Sequence, residues 1–310
     1  MQNLTIPIRA NLDLTPEILG YLASIKEFEY SYKYYQLRHP GGIFNLATIY
    51  LIDDFIKVID LVELQQTDYD SKRDIEERYH TLINSFFKFY DSCFEIIQGC
   101  CKEHERPKRD IWQWLEKNKY NAGTEFYEKT KEDIDYFRKI YNKLKHTSNH
   151  LQPISFLGAF NVVGYYVQSV CPEGSIGPDE DIHHKFQGKH SASSYNFDLK
   201  RLYYCIYECC FILKEALLKH FKEVYALDLT YNDKHKETGI KWRQFFEKMS
   251  SLPENYFPSE QGKPIYQLKI ENGNLVFKIK SAPMLNLSGY KIELLENGDS
   301  FSRSFRLPFF

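Results

Sequence analysis

The sequence contains no run of about 18 apolar residues, which is the length a helix needs to cross a bilayer. Its first residues also lack the charged, apolar and small-residue series of a secretory signal peptide. Cysteine is scarce, with seven residues and no C-x-x-C pair, which argues against a disulfide framework and a zinc knuckle. We therefore expect a cytoplasmic protein without membrane contact, whose thiols serve as small apolar groups.

An excess of one charge sign is lacking as well, since the formal net charge is −2 over 310 residues. The molecule as a whole therefore cannot act as an electrostatic trap for nucleic acid, and RNA binding needs a local basic patch. Residues 138–150 supply such a patch, with six basic side chains. Aromatic residues reach 16%, and they either fill helix interfaces or form a surface that stacks RNA bases.

The motifs of phosphate loops and of serine nucleophiles are absent, namely the Walker A loop, the dinucleotide glycine fingerprint and the G-x-S-x-G elbow. His183, His184 and His190 do lie beside acidic residues in one loop-like segment. None of them has the helical H-x-x-x-H or H-E-x-x-H spacing of a metal site. We therefore expect solvent-exposed loop histidines, no metal and no cofactor.

Apolar residues at helical spacing predict a chain rich in long helices. Thr15 followed by Pro16 marks a helix start, and Thr130 with Asp133 three residues later has the pattern of a capping box. The predicted helices cover 15–38, a segment from about 45, 70–102, 110–119, 130–146, 197–224 and 239–249.

Residues 154–170 differ in pattern, because they are aromatic and β-branched and are interrupted by Gly158 and Gly164. Such a segment favours a short hairpin or paired strands. The following residues, 171–196, are rich in Gly, Pro and Ser and predict an irregular loop.

The C-terminal residues 264–310 carry two turn signals. Asn272-Gly273 and Asn297-Gly298 each stand between alternating apolar runs, which is the sequence typical of a type I′ turn. We expect two antiparallel hairpins here.

A polar ridge is predicted on the helix that ends at His146. Arg138, Asn142 and His146 follow one another at intervals of four residues, so they lie along one side of that helix. Apolar residues of the same helix have the spacing of a core-facing side; they are Ile134, Phe137, Tyr141 and Leu144. The ridge therefore lies beside the buried face, where a groove between helices or subunits can form.

This ridge resembles the motif of the HEPN superfamily, which comprises prokaryotic helical domains, many of them ribonucleases of toxin–antitoxin, CRISPR and other antiviral systems. The family pattern is an Arg, then a polar residue that is often Asn, then a His. Asn142 and His146 match its last two members. Tyr141 stands directly before Asn142 where the family has Arg, and Arg138 lies about one turn further upstream than usual.

The resemblance implies a mainly α fold, an HEPN-like helical bundle with a strand-like insertion and a small C-terminal antiparallel β element. Residues 1–230 would form the bundle, with the insertion at 152–196. Residues 231–310 would form a short helix plus two β-hairpins. The resemblance also implies a homodimer, because family members place two such motifs face to face.

The chemistry of metal-independent RNA cleavage explains why the family motif consists of an arginine, a polar residue and a histidine. His146 would take the proton from a ribose 2′-OH, and Arg138 would stabilise the charge that develops on the phosphate. Asn142 would hold the imidazole or the phosphate. Nearby cations would bind RNA; they are Lys139, Lys143 and Lys145.

Two functions remain open. The first is an RNA-directed effector, a metal-independent endoribonuclease of prokaryotic toxin–antitoxin or antiviral defence that is restrained by a protein partner encoded nearby. The second is a non-catalytic HEPN-like module that mediates protein–protein docking in a defence complex. Tyr141 in place of the family's Arg favours the second function, whereas Asn142 and His146 with their nearby cations favour the first.

Overall fold

The computed structural model describes residues 4–9, 12–26, 32–67, 75–102, 110–145, 150–170, 174–232, 238–286, 288–294 and 304–310. Seven helices hold 51% of these residues and strands hold 19%. The fold is therefore mixed α/β, and the predicted mainly α class, an HEPN-like helical bundle, is wrong. One sheet joins the N-terminal strand to two C-terminal strands, and the other joins four central strands to one C-terminal strand. In the described part of the chain, no helix is both long and apolar enough to cross a membrane.

Two of the helices begin at side chains that cap their first turn. The Asp110 side chain accepts a hydrogen bond from the Trp112 N–H, and the Ser194 hydroxyl accepts one from the Phe197 N–H. Each bond satisfies an N–H that has no partner within its helix. The helices are α1 (Ile18–Leu22), α2 (Pro40–Thr67), α3 (Ile75–Gly99), α4 (Ile111–Lys117), α5 (Asn121–Leu144), α6 (Tyr195–Tyr225) and α7 (Thr238–Ser251).

Three predicted helix bounds are wrong. The helix expected from about residue 45 begins five residues earlier, as α2 at Pro40. The helix expected over 15–38 ends after five residues as α1, and the carbonyl oxygen of Ile25 lies 2.8 Å from His39 Nε2 instead of continuing a helix. Thr130 is not a cap but lies inside α5, where its hydroxyl donates to the Phe126 carbonyl oxygen at 2.8 Å. A threonine can bond either way, so its position in the sequence did not distinguish a cap from a helix interior.

The strands form a three-stranded and a five-stranded antiparallel sheet. The predicted hairpin over 154–170 is confirmed as β2 paired with β3. The three-stranded sheet has the order β1 (Leu4–Pro7), β7 (Asn274–Ser281), β6 (Pro264–Glu271). The five-stranded sheet has the order β4 (Ile176–Pro178), β3 (Val162–Val170), β2 (His150–Leu157), β8 (Lys291–Leu294), with β5 (Ser193–Ser194) also paired to β3.

Of the two predicted C-terminal hairpins, only the first is confirmed. Asn272 and Gly273 join β6 to β7 with φ angles of 50° and 73°, the positive values that a type I′ turn requires. The second stays a prediction, because the described contacts, β8 with β2 and Phe305 with Ile176, do not include its Asn297-Gly298 turn. An open edge such as that of β2 offers unpaired backbone groups to any strand within reach. Residues 295–303 lie outside the described residues.

Helix α6 lies at the centre of the packing. Tyr204 stacks on Tyr266 of β6 with ring centroids 3.8 Å apart, and Tyr195 packs at 5.3 Å from Tyr165 of β3. The abundant aromatic residues therefore fill interfaces between helices and sheets. The first turn of α6 consequently lies where α5 and both sheets come close together.

Candidate functional site

The structure brings three of the predicted site residues together. Arg138, Asn142 and Lys145 line one groove between α3, α4 and α5, with a volume of about 480 Å³. Their spacing of four and then three residues places them on one side of α5. We call this surface the Arg138 groove. His146, the predicted catalytic residue, lies outside the described residues.

The other two predicted RNA-binding residues lie elsewhere on α5. The Lys139 ammonium is 3.2 Å from the Asp135 carboxylate. Lys143 Nζ is 2.7 Å from the carboxylate of the buried Asp179, and this hydrogen bond raises the pKa of Lys143. Both lysines therefore have intramolecular partners, and their role in RNA binding stays a prediction.

Aromatic rings form the walls of the Arg138 groove. Trp112 stacks on Tyr127 with centroids 4.3 Å apart and planes at 21°, and Phe87 stacks on Tyr141 at 4.6 Å and 20°. Flat aromatic faces beside a groove are the feature on which nucleic-acid bases stack. The lining from α3 and α4 comprises Phe87, Tyr90, Asp91, Phe94, Glu95, Asp110, Ile111 and Trp112.

Two cations lie against these rings. The Arg138 guanidinium carbon is 5.6 Å from the Tyr90 ring centroid and 5.7 Å from that of Tyr127. Lys145 Nζ lies 3.9 Å from the Tyr141 centroid. Cation–π contacts orient a charge without neutralising it. Neither cation forms an ion pair with a residue in the described ranges, so both are placed to contact an anion such as phosphate.

Carboxyl groups line the same groove. Burial raises the pKa of Asp91 and of Glu95, and repulsion from neighbouring carboxylates adds to this in both cases. The charges of Arg138 and Lys145 oppose the shift at Asp91. The groove therefore combines cations, rings and carboxyl groups that ionise less readily than usual.

Comparison with protein-family models, curated proteins and solved structures gives no match for this chain. The HEPN resemblance therefore rests on Asn142 and His146, and it stays a prediction.

A second cavity, of about 330 Å³, lies between α5, the first turn of α6 and residues 181–193. Asp198 lines it with only 1% of its surface exposed. Its Oδ2 accepts hydrogen bonds from three phenols, those of Tyr165 at 2.5 Å, Tyr79 at 3.0 Å and Tyr136 at 3.3 Å. Sequence reasoning did not identify this site, because an aspartate in a first helical turn is ordinary.

Two further buried groups lie beside Asp198. Glu260 accepts hydrogen bonds from the Ser194 N–H and hydroxyl, at 2.7 and 2.6 Å, and burial raises its pKa to about 8. His183, predicted to be exposed, is buried; its Nε2 accepts from the Val167 N–H at 2.8 Å. Burial lowers the pKa of His183 to about 3, so this histidine is neutral and structural. Among the described residues, no group of three or more His, Cys, Asp and Glu could hold a metal ion.

Asp198→Asn is expected to change how stability depends on pH. Burial raises the Asp198 pKa to about 6 from an ordinary 3.8, although the phenols and Arg201 oppose this. The folded protein therefore binds more protons than the unfolded chain between pH 4 and 6, and its stability falls as the pH rises through that window. Between these pH values, the free energy of unfolding of the wild type should fall by about 3 kcal/mol more than that of Asp198→Asn. Urea unfolding at several pH values measures both.

Asp135→Asn is the matched control, because this carboxylate lines the same cavity but its side chain is 56% exposed. Its pH profile should run parallel to that of the wild type. If the stability of Asp198→Asn also varied with pH as that of the wild type does, Asp198 would not be the group that causes the pH dependence. The groups that face Asp198 are Tyr79 of α3, Tyr136 of α5, Tyr165 of β3, Arg201 of α6 and Glu260.

Proposed function

We propose that this chain binds single-stranded RNA in the Arg138 groove and acts as an RNA-directed effector of prokaryotic toxin–antitoxin or antiviral defence. The observation that carries the proposal is that one groove combines stacked aromatic rings with two cations that form no ion pair with any residue the structure describes. Aromatic faces hold successive bases whatever their sequence, while cations hold the phosphates between them. The guanidinium of Arg138 can bind a phosphate through two parallel hydrogen bonds.

The reaction we propose is metal-independent cleavage of the RNA backbone. Arg138 and Asn142 lie in the groove, and His146 follows Lys145 directly in the sequence. His146 would remove the 2′-OH proton, and the 2′-oxygen would then attack the adjacent phosphorus and displace the 5′-oxygen, which leaves as a hydroxyl after taking up a proton. Arg138 would stabilise the charge that develops on the phosphate. By the family resemblance the acting form would be a homodimer, with a protein partner that restrains it.

The carboxyl groups of the groove favour a second function, which is the docking of a protein partner. Asp91, Glu95 and Asp110 line the same surface as the rings. A basic, aromatic-containing segment of a partner would find both charge partners and stacking faces there. In this alternative the module has no catalytic activity.

Arg138→Ala is expected to weaken the affinity for a fluorescein-labelled single-stranded RNA by about tenfold, because a stacking or phosphate contact contributes about 1–3 kcal/mol. The dependence of affinity on salt should also become shallower by about one phosphate contact. Fluorescence anisotropy at several salt concentrations measures both quantities.

Lys131→Ala is the control, since Lys131 is a partly exposed cation on α5 that pairs with Glu128 outside the groove. It should leave RNA affinity almost unchanged. Equal affinities for Arg138→Ala and Lys131→Ala would contradict the proposal, as would wild-type protein that binds no RNA at low salt. Binding of an arginine-rich peptide that is weakened by Asp91→Asn would then select the docking function.

A further inference from the structure

Asp198 and Arg201 carry opposite charges one turn apart on α6, yet they do not form an ion pair. The Arg201 guanidinium lies 5.0 Å from the Tyr136 ring centroid and donates to the Asp133 carbonyl oxygen at 3.3 Å. Residues three apart on a helix have Cβ atoms about 5–6 Å apart, which is close enough for pairing. The charge of Arg201 lowers the pKa of Asp198, but neither side chain forms a contact ion pair with a described residue.

Only one of the two carboxylate oxygens of Asp198 accepts hydrogen bonds from described residues. Three phenols donate to Oδ2, but no described residue donates a hydrogen bond to Oδ1. A carboxylate this deeply buried is costly unless a cation or further donors satisfy it. Glu260 differs, since both of its oxygens accept hydrogen bonds from the protein.

The cavity between these groups has the size and lining of a small-molecule site. Its volume is about 330 Å³, and both Asp198 and Arg201 line it. Hydroxyl groups of Tyr136 and Ser193 face each other at 2.6 Å beside the carboxylate. The remaining lining includes apolar side chains that can accept an aliphatic or aromatic group; they are Ile182, Ala192, Phe197, Pro264 and Tyr266.

We propose that this cavity binds a small zwitterion of the α-amino acid class, with its ammonium group on Asp198 and its carboxylate on Arg201. The two charges of such a ligand are held close together, so one molecule can bridge two side chains that are one helical turn apart. A simple amine would leave Arg201 unpaired, and a simple acid would leave Asp198 unpaired. The proposal does not depend on RNA binding, since the Arg138 groove is a separate surface.

The test is thermal unfolding of the full chain with each common L-amino acid at about 10 mM. We expect at least one to raise Tm by about 2 °C or more, because a ligand that binds only the folded state stabilises it. Isothermal titration calorimetry then gives its affinity. The amine without the carboxylate and the acid without the amine should each bind about tenfold more weakly or worse.

Two variants connect binding to the cavity. Asp198→Asn and Arg201→Lys should each reduce affinity by about tenfold, the second because an ammonium cannot reproduce the bidentate fork. Lys219→Met is the matched control, a cation of α6 that pairs with Glu125 outside the cavity. Near-ultraviolet circular dichroism establishes that each variant keeps its packing.

Three outcomes would overturn the proposal. In the first, no amino acid changes Tm. In the second, the amine alone binds as tightly as the zwitterion, which would make this a cation site. In the third, both folded cavity variants bind as the wild type does.

Discussion

His146→Ala is expected to abolish RNA cleavage while the protein stays folded. Histidine has a pKa near the working pH, so it can take the 2′-OH proton, and general-base catalysis contributes about 10²–10⁴-fold to a rate. Arg138→Ala should also slow cleavage, by the equivalent of about 2–4 kcal/mol, because a donor to the developing charge is lost. The measurement is the cleavage rate of end-labelled single-stranded RNA in EDTA, which removes metal-dependent nucleases.

His184→Ala is the control for this experiment, because His184 is an exposed histidine of the other cavity. It should cleave at the wild-type rate. If the wild type and His146→Ala both leave structured and single-stranded RNAs intact, with and without a protein partner, the enzyme interpretation fails. The docking function would then replace it.

Gly164→Ala is expected to destabilise the fold by about 4 kcal/mol, above the usual 1–3 kcal/mol for overpacking. A methyl group at this position of β3 would lie 2.1 Å from the Ser193 carbonyl oxygen and 2.5 Å from the Phe257 ring. Ser194, which pairs with Gly164, is the N-cap of α6. The main chain of β5 would therefore have to move away from β3. The N-cap residue of α6 would then lose its pairing with β3. Urea unfolding at neutral pH measures the loss.

Gly42→Ala is the matched substitution, because a methyl group at Gly42 of α2 meets no atom within 4 Å. It should leave stability unchanged or raise it by up to about 1 kcal/mol, since alanine favours a helix over glycine. A similar loss for both variants would show that the crowding at Gly164 is not the cause.

Most long helices and the tight hairpins could be predicted from the sequence. The apolar spacing in α3 and α6 and the Asn272-Gly273 turn are local signals, so they need no knowledge of distant residues. Strand β1 has only four residues, too few to show a period. The partner of β8 could not be predicted either, because a free edge about 140 residues earlier, and not the neighbouring sequence, determines the pairing.

The candidate site was predictable only in part. Helical spacing placed Arg138 and Asn142 on one side of α5, but it could not show that rings of α3 and α4 stack on the tyrosines of α5 beside them. Asp198 could not be identified at all. Its environment comes from Tyr79, which is 119 residues away in the sequence, and Tyr165, which is 33 away. No local sequence pattern indicates that residues so far apart in the chain are in contact.

The pairing of β1 with β7 has a consequence for how this chain folds during synthesis. Leu4 pairs with Phe277, so β1 leaves the ribosome about 270 residues before its partner strand has been made. At about 5–20 residues per second, this delay is on the order of tens of seconds. In the same way, one edge of β2 stays unpaired until β8 has been made. Neither sheet can therefore be completed before β7 and β8 have been translated, and the unpaired edges of the nascent chain are exposed to aggregation until then.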